Sequence, residues 1–152
     1  MPKFELLLEG PAVPLRAAKK NAKRYQAWIQ KVRAVARSEW PTDTPPIRTD
    51  VTVTITNFFT DDPPDIDNII KPLLDALCLV VYEDDRQVVR VTSQKFDMES
   101  ALQRKTQGPP LIRLSSASFD DEGRIQLGPI NSVLAAGLER YKEVVYIEVV
   151  WY

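Results

Sequence analysis

Residues 51–97 read VTVTITNFFTDDPPDIDNIIKPLLDALCLVVYEDDRQVVRVTSQKFD. Val51, Val53 and Ile55 alternate with Thr52, Thr54 and Thr56. A period of two sends apolar side chains to one face, so the run predicts a half-buried strand reaching Phe59. Asp61-Asp62-Pro63-Pro64 is a turn or strand edge. Ile70, Leu73, Leu74, Leu77 and Val81 then recur at helical spacing and predict a helix over 68–81, with Asp67 or Asn68 as its N-cap. Pro72 has no N–H to donate, so it fits only in the first turn, and the helix must start late, near Asn68 or Ile69. Gln87 to Phe96 reads as a second strand. The succession predicts an α/β (α+β) fold, a mixed four- or five-stranded sheet with packed helices.

The flanks extend that picture. Phe4 to Leu8 is a short strand stopped by Gly10-Pro11. From Lys20 to Trp40 the apolar positions Tyr25, Trp28, Ile29, Val32, Val35, Ala36 and Trp40 make one face of a helix. Its other face carries Lys23, Arg24, Lys31, Arg33 and Arg37, and Pro41 ends it. Trp28 and Trp40 are expected in the core, and Cys78 as a small buried apolar group. Glu143 to Tyr152 is apolar at nearly every position, which predicts a strand covered on both faces. Between them, Leu111–Leu114 and Arg124–Leu127 suit short strands and residues 129–142 suit a helix. The whole, residues 1–152, is expected to be one domain with an insertion or extension at about 98–142.

Composition narrows the chemistry. The chain has 152 residues, enough to bury roughly two-thirds of its unfolded surface. Histidine is absent and there is one cysteine. This rules out a Ser-His-Asp triad, a Cys-His pair, an imidazole-held metal and an internal disulfide. Carboxylates, lysine or a hard metal ion must therefore do any catalysis. No signal peptide or membrane span is read, and the expected compartment is cytoplasmic, associated with the nucleoid. The net charge of -1 conceals +5 over residues 1–50 and -6 over residues 51–100. A local basic stripe can bind phosphates even in a neutral chain.

The acidic third holds Asp61, Asp62, Asp65, Asp67, Asp75, Glu83, Asp84 and Asp85. A solvated loop would account for Asp61, Asp62 and Glu83. Asp65 and Asp67 are two apart, so on an extended segment they face the same side. Lys71 lies four residues beyond Asp67, one helical turn on, and either serves the chemistry or merely pairs with Asp67 or Asp75. Carboxylates converging from separate elements repel unless a cation lies between them. Oxygen-only ligands suit Mg2+, with Mn2+ as a substitute. Such an ion activates water and stabilises phosphoryl charge, which points to phosphodiester hydrolysis.

The run Asp65-Ile66-Asp67-Asn68-Ile69-Ile70-Lys71-Pro72-Leu73-Leu74-Asp75-Ala76-Leu77, followed by Tyr82-Glu83-Asp84-Asp85-Arg86-Gln87-Val88, resembles the signature of the RusA family of Holliday junction resolvases. The resemblance extends over about residues 4–97 and is strongest from Asp65 to Val88. It implies a RusA-like fold and a Mg2+-dependent homodimeric endonuclease that cuts opposed strands of a four-way DNA junction in recombination and repair. It also implies catalytic roles for Asp65, Asp67, Asp85 and Lys71, and metal ligation by Asp65, Asp67 and Asp85 with Asp84 beside them. Arg16, Lys19, Lys20, Lys23 and Arg24 are the candidate DNA contacts. Two other readings remain open. One is a metal nuclease for another branched DNA, and the other is a non-catalytic DNA- or protein-binding descendant of the fold.

Overall fold

The computed structural model describes residues 2–98, 117–119, 125–127, 137 and 140–152. In chain order the elements are β1 (Lys3–Glu9), α1 (Ala17–Lys20), α2 (Ala22–Glu39), β2 (Val51–Phe59), α3 (Ile70–Leu77), β3 (Val88–Asp97), β4 (Ala117–Phe119), β5 (Ile125–Leu127) and β6 (Val144–Trp151). A 3-10 turn at Asp85–Gln87 leads into β3.

Four strands form one sheet in the order β1-β6-β2-β3. β6 runs antiparallel to both β1 and β2, whereas β2 and β3 are parallel. The sheet is mixed, as expected, and the fold is α+β. A parallel neighbour needs a crossover, and α3 with its flanking loops supplies it. β4 and β5 form a separate antiparallel pair. The first strand of that pair lies at Ala117–Phe119, and the segments expected at 111–114 and across most of 129–142 lie outside the described residues.

The alternation in β2 holds from Val51 to Ile55, beyond which Thr56, Asn57 and Phe58 are all buried because a second cluster covers the other face there. Val51, Val53 and Ile55 are buried under the helices, while Thr52 and Thr54 are half-buried on the opposite face. In register, Phe4 of β1, Val149 of β6 and Val53 of β2 share a row, as do Leu6, Ile147 and Ile55. α2 covers these rows with Tyr25, Trp28, Ile29, Val32 and Ala36, and α3 with Leu73, Ala76 and Leu77. Fully burying a Leu or Ile contributes about 1.5–3 kcal/mol, so packing rather than local propensity seats α3 on the sheet. The central strand β6 is covered on both faces because Phe58, Met98, Val144 and Tyr146 form a second cluster behind the sheet.

Two helices differ from their expected bounds. The basic helix breaks at Asn21, whose side chain accepts the Arg24 N–H at 3.1 Å and starts α2 afresh. The other helix stops at Leu77 and does not reach Val81. Cys78 is extended, and Leu79 adopts a left-handed φ of 69° with its side chain 75% exposed. The Leu79 N–H donates to the Tyr82 carbonyl at 2.7 Å, closing a tight turn. Val80 and Val81 are buried by that turn, so their apolar character reports the core and not a helix. Cys78 is half-buried against the core, Trp28 is buried, and Trp40 packs edge-on to Phe4 at 5.1 Å. Among the described residues no helix is long and apolar enough to cross a membrane.

Candidate active site

The chain leaves β2 at Phe59 and returns to α3 through residues 60–69. Two bonds fasten this return. The Leu15 N–H donates to the Asn68 carbonyl, and Ser93 Oγ of β3 donates to the Ile66 carbonyl, both at 2.8 Å. Asp65 and Asp67 therefore sit on a pinned segment at the start of α3. Residues 66–69 form a turn and are not extended, with the Asn68 N–H on the Asp65 carbonyl at 3.1 Å. The same-side argument for an extended pair thus does not describe Asp65 and Asp67. Neither Asp67 nor Asn68 caps α3, whose N-cap is Ile69 with no side-chain bond. Both aspartates are exposed, and neither carboxylate is hydrogen-bonded or ion-paired among the described residues. They are open to a ligand.

Lys71 projects from the first turn of α3. Its Nζ lies 2.5 Å from Asp75 Oδ1 and 3.5 Å from Asp85 Oδ2, so it bridges α3 and the 3-10 turn. Of the two pairings left open by the spacing, the structure selects Asp75, because residues four apart in a regular helix are neighbours. Asp67 lies before the helix, in the turn. The Asp75 hydrogen bond, helped by the charges of Asp75 and Asp85, raises the Lys71 pKa above its ordinary value. Lys71 is thus held as a cation at neutral pH in this arrangement.

The Asp84-Asp85-Arg86-Gln87 turn has a separate job for each side chain. Asp84 caps it, accepting from the Arg86 backbone N–H at 2.8 Å and from the Arg86 guanidinium at 3.0 Å. Those bonds hold its carboxyl below the usual range. Gln87 completes the capping box by accepting the Asp84 N–H, and its amide donates to the Ile47 and Thr49 carbonyls at 2.8 Å each. The turn is thereby anchored, and Asp85 is delivered to Lys71. Asp84, expected among the metal ligands, serves here as cap and ion-pair partner.

No three Asp, Glu or Cys side chains among the described residues stand close enough together to hold a metal ion. The structure places Asp85 with Lys71 and Asp75, and Asp65 with Asp67 on the adjoining segment. The repulsion expected among converging carboxylates is relieved at Asp85 by the lysine ammonium.

Behind this acidic edge, α2 steadies α3. Arg33 donates to the Asp75 and Ala76 carbonyls at 2.9 and 3.3 Å, satisfying acceptors at the helix C-terminus. Tyr82 Oη donates to the Leu74 carbonyl at 2.8 Å. Neither role was read from sequence, though Arg33 lies on the face already identified as basic. Asp75 stands outside the predicted site residues, although the spacing names it as one of the two possible partners of Lys71.

The five basic candidates divide. Arg16, Lys20 and Arg24 line a cleft of about 320 Å³ between the start of α2 and the 59–64 loop. Lys19 and Lys23 are exposed but do not line it. Asp61 and Asp62 are exposed, as expected for solvated residues, with Asp61 3.3 Å from Lys142. Glu83 is exposed and pairs with Arg48 at 2.8 Å.

An exposed acidic segment with a fixed ammonium, next to a cleft lined by Arg16, Lys20 and Arg24 as well as by Asp61, Asp62 and Glu143, is a surface suited to hydrolysis along a phosphate backbone. Residues 15–103, more than half of the chain, match the family model of endodeoxyribonuclease RusA, and the chain belongs to that family. The match starts at Leu15, so β1 and β6 lie beyond it although they complete the sheet. No curated protein matches the chain.

Proposed function

We propose that this protein is a Mg2+-dependent endonuclease that cuts four-way DNA junctions, acting as a homodimer in recombination and repair in the cytoplasm. The observation that carries this reading is the pairing of Lys71 with Asp85 beside the two unpaired carboxylates Asp65 and Asp67, within a chain of an endodeoxyribonuclease family.

The donor set fits the metal by its chemistry. Only hard oxygen ligands are present, and Mg2+ is commonly held by one or two carboxylates while keeping several waters. A closed protein cage is therefore unnecessary. One or two of the carboxylates Asp65, Asp67 and Asp85, which the structure does not gather as a set of three, would hold the ion, which when bound would supply an activated water and charge stabilisation. Lys71, held as a cation, donates to a phosphoryl oxygen as negative charge develops there. Asp75 keeps the ammonium aimed between α3 and the 3-10 turn. Arg16, Lys20 and Arg24 hold the phosphates on either side of the cut. A four-way junction has two-fold symmetry, and paired nicks need two such sites related by a matching axis, which a homodimer supplies.

The test is nicking of a synthetic mobile four-way junction with and without Mg2+, against flap and linear duplex controls. Asp67→Asn is expected to abolish cleavage while circular dichroism is unchanged, since Asp67 is exposed and bonded to nothing by its side chain. Full activity in that variant would sink the assignment. Junction binding without metal-dependent cleavage in the wild type would favour the binding-only reading.

A further inference from the structure

The cleft beside the acidic segment has a floor that the nuclease reading leaves unexplained. Asn57, near the end of β2, lines it and is only 3% exposed. Its carboxamide makes no hydrogen bond to any side chain or backbone group among the described residues. A carboxamide can make several hydrogen bonds, and this one has them to offer to whatever enters the cleft. The surrounding groups name the visitor. Phe59 and Pro64 offer apolar walls, and Arg16, Lys20 and Arg24 add cationic groups to the lining. Three carboxylates also line it: Glu143 is occupied by the Thr60 and Asp61 backbone N–H groups at 2.9 and 3.4 Å, Asp61 faces Lys142 at 3.3 Å, and Asp62 is exposed. A flat, partly apolar group with a hydrogen-bonding edge, attached to phosphates, is a nucleotide. The volume of about 320 Å³ suits one nucleotide.

We propose that this cleft receives a single unstacked nucleotide of the DNA strand next to the cut, with the Asn57 amide pairing to the edge of its base and Arg16, Lys20 and Arg24 gripping its phosphates. The inference rests on the nuclease reading above and deepens it, because it makes Asn57 the residue that sets base preference. The location is right for that role. Pro64 in the cleft wall is bonded directly to Asp65, and Leu15, beside Arg16, is hydrogen-bonded to Asn68. A nucleotide here therefore lies within a residue or two of the cleaved position. Turning a base out of its stack costs a few kcal/mol, least where its pairing is already disturbed.

The experiment maps cut positions on mobile junctions whose branch region presents each base in turn, with Mg2+, for the wild type, Asn57→Ala and Asn57→Asp. The wild type is expected to concentrate its cuts at one fixed offset from a preferred base. Asn57→Ala should flatten that preference on the order of tenfold, the discrimination a paired amide provides. Asn57→Asp, nearly the same shape but an acceptor only, should shift preference toward bases with an exocyclic amine. A second measurement needs no variant. With Mg2+ withheld, a junction carrying 2-aminopurine at the preferred offset should brighten when the wild-type protein binds, because the base leaves its stack. An unchanged cut map in the folded variants, a wild type with no base preference, or no brightening overturns the inference. A wild type that binds and brightens the junction but never cuts it fails the nuclease reading instead.

Discussion

Replacing Lys71 by Met removes one ammonium and keeps most of the side-chain volume. Two consequences can be sized. The Lys71 side chain is 55% exposed, and its partners Asp75 and Asp85 are 34% and 43% exposed. Ion pairs in that setting are screened, so the loss to folding is about 0.3–0.5 kcal/mol. For a domain of this size that lowers Tm by about 1–2 °C. The loss to catalysis is far larger if Lys71 meets developing charge on the phosphate. Removing one such donor costs on the order of 10²–10³ in rate. Single-turnover cleavage of a four-way junction at saturating protein reads the rate, and a thermal melt reads the fold. Lys71→Arg should recover part of the rate, since the charge returns with a different shape. The pH profile adds a constraint. Lys71 is protonated below its raised pKa and loses its charge only as pH climbs past it, so the wild-type to Lys71→Met rate ratio should be flat from about pH 6 to 9. A variant that melts several degrees lower yet cuts at the wild-type rate would show that Lys71 is only a strut between α3 and the 3-10 turn.

Arg33→Met should cost about 1.5–3 kcal/mol by freeing the Asp75 and Ala76 carbonyls, seen as a Tm drop of several degrees with junction affinity little changed. Tyr82 is buried under Leu74 and its pKa is raised, chiefly by burial. Its contribution to stability is complete below the unfolded tyrosine value of about 10 and falls as pH rises beyond it, because only the unfolded chain then releases the proton. Chemical denaturation from neutral to alkaline pH should accordingly show a shallower decline for Tyr82→Phe, at the expense of about 1 kcal/mol at neutral pH for the lost bond. Lys20→Ala and Arg24→Ala should each weaken junction binding and reduce the salt dependence of log Kobs by about one, as measured by anisotropy over a salt series. An unchanged salt slope would remove the cleft from the DNA path.

Local pattern was enough wherever one force dominated. The Val-Thr alternation of β2 follows from burial of a single face only as far as Thr54, and the apolar run of β6 from burial of both. The α2 stripe from Tyr25 to Ala36 lies under the sheet as its spacing requires. Pattern misled where two structures bury the same residues. Val80 and Val81 satisfy a helical period, yet a left-handed Leu79 buries them in a turn instead. The site divides along the same line. Asp65, Asp67, Lys71 and Asp85 could be named from their order in the chain. What each touches could not, since the partner of Lys71 depends on where α3 begins and how the 3-10 turn is anchored.

By itself the sequence determined the chemistry available to this protein. Without histidine, and with a single cysteine, the charged groups of the acidic third are chiefly carboxylates with Lys71 among them, and their order marks the family. Tertiary structure decided which of those groups meet. Lys71 pairs with Asp75 and Asp85, Asp84 caps the 3-10 turn, Arg33 crosses from α2 to hold α3, and Asn57 lines a cleft of mixed charge with no side-chain hydrogen bond among the described residues. The reason is physical. Charge and apolarity are properties of each residue and can be read one position at a time. A contact between residues 42 positions apart, as for Arg33 and Asp75, exists only after the sheet and its helices have packed.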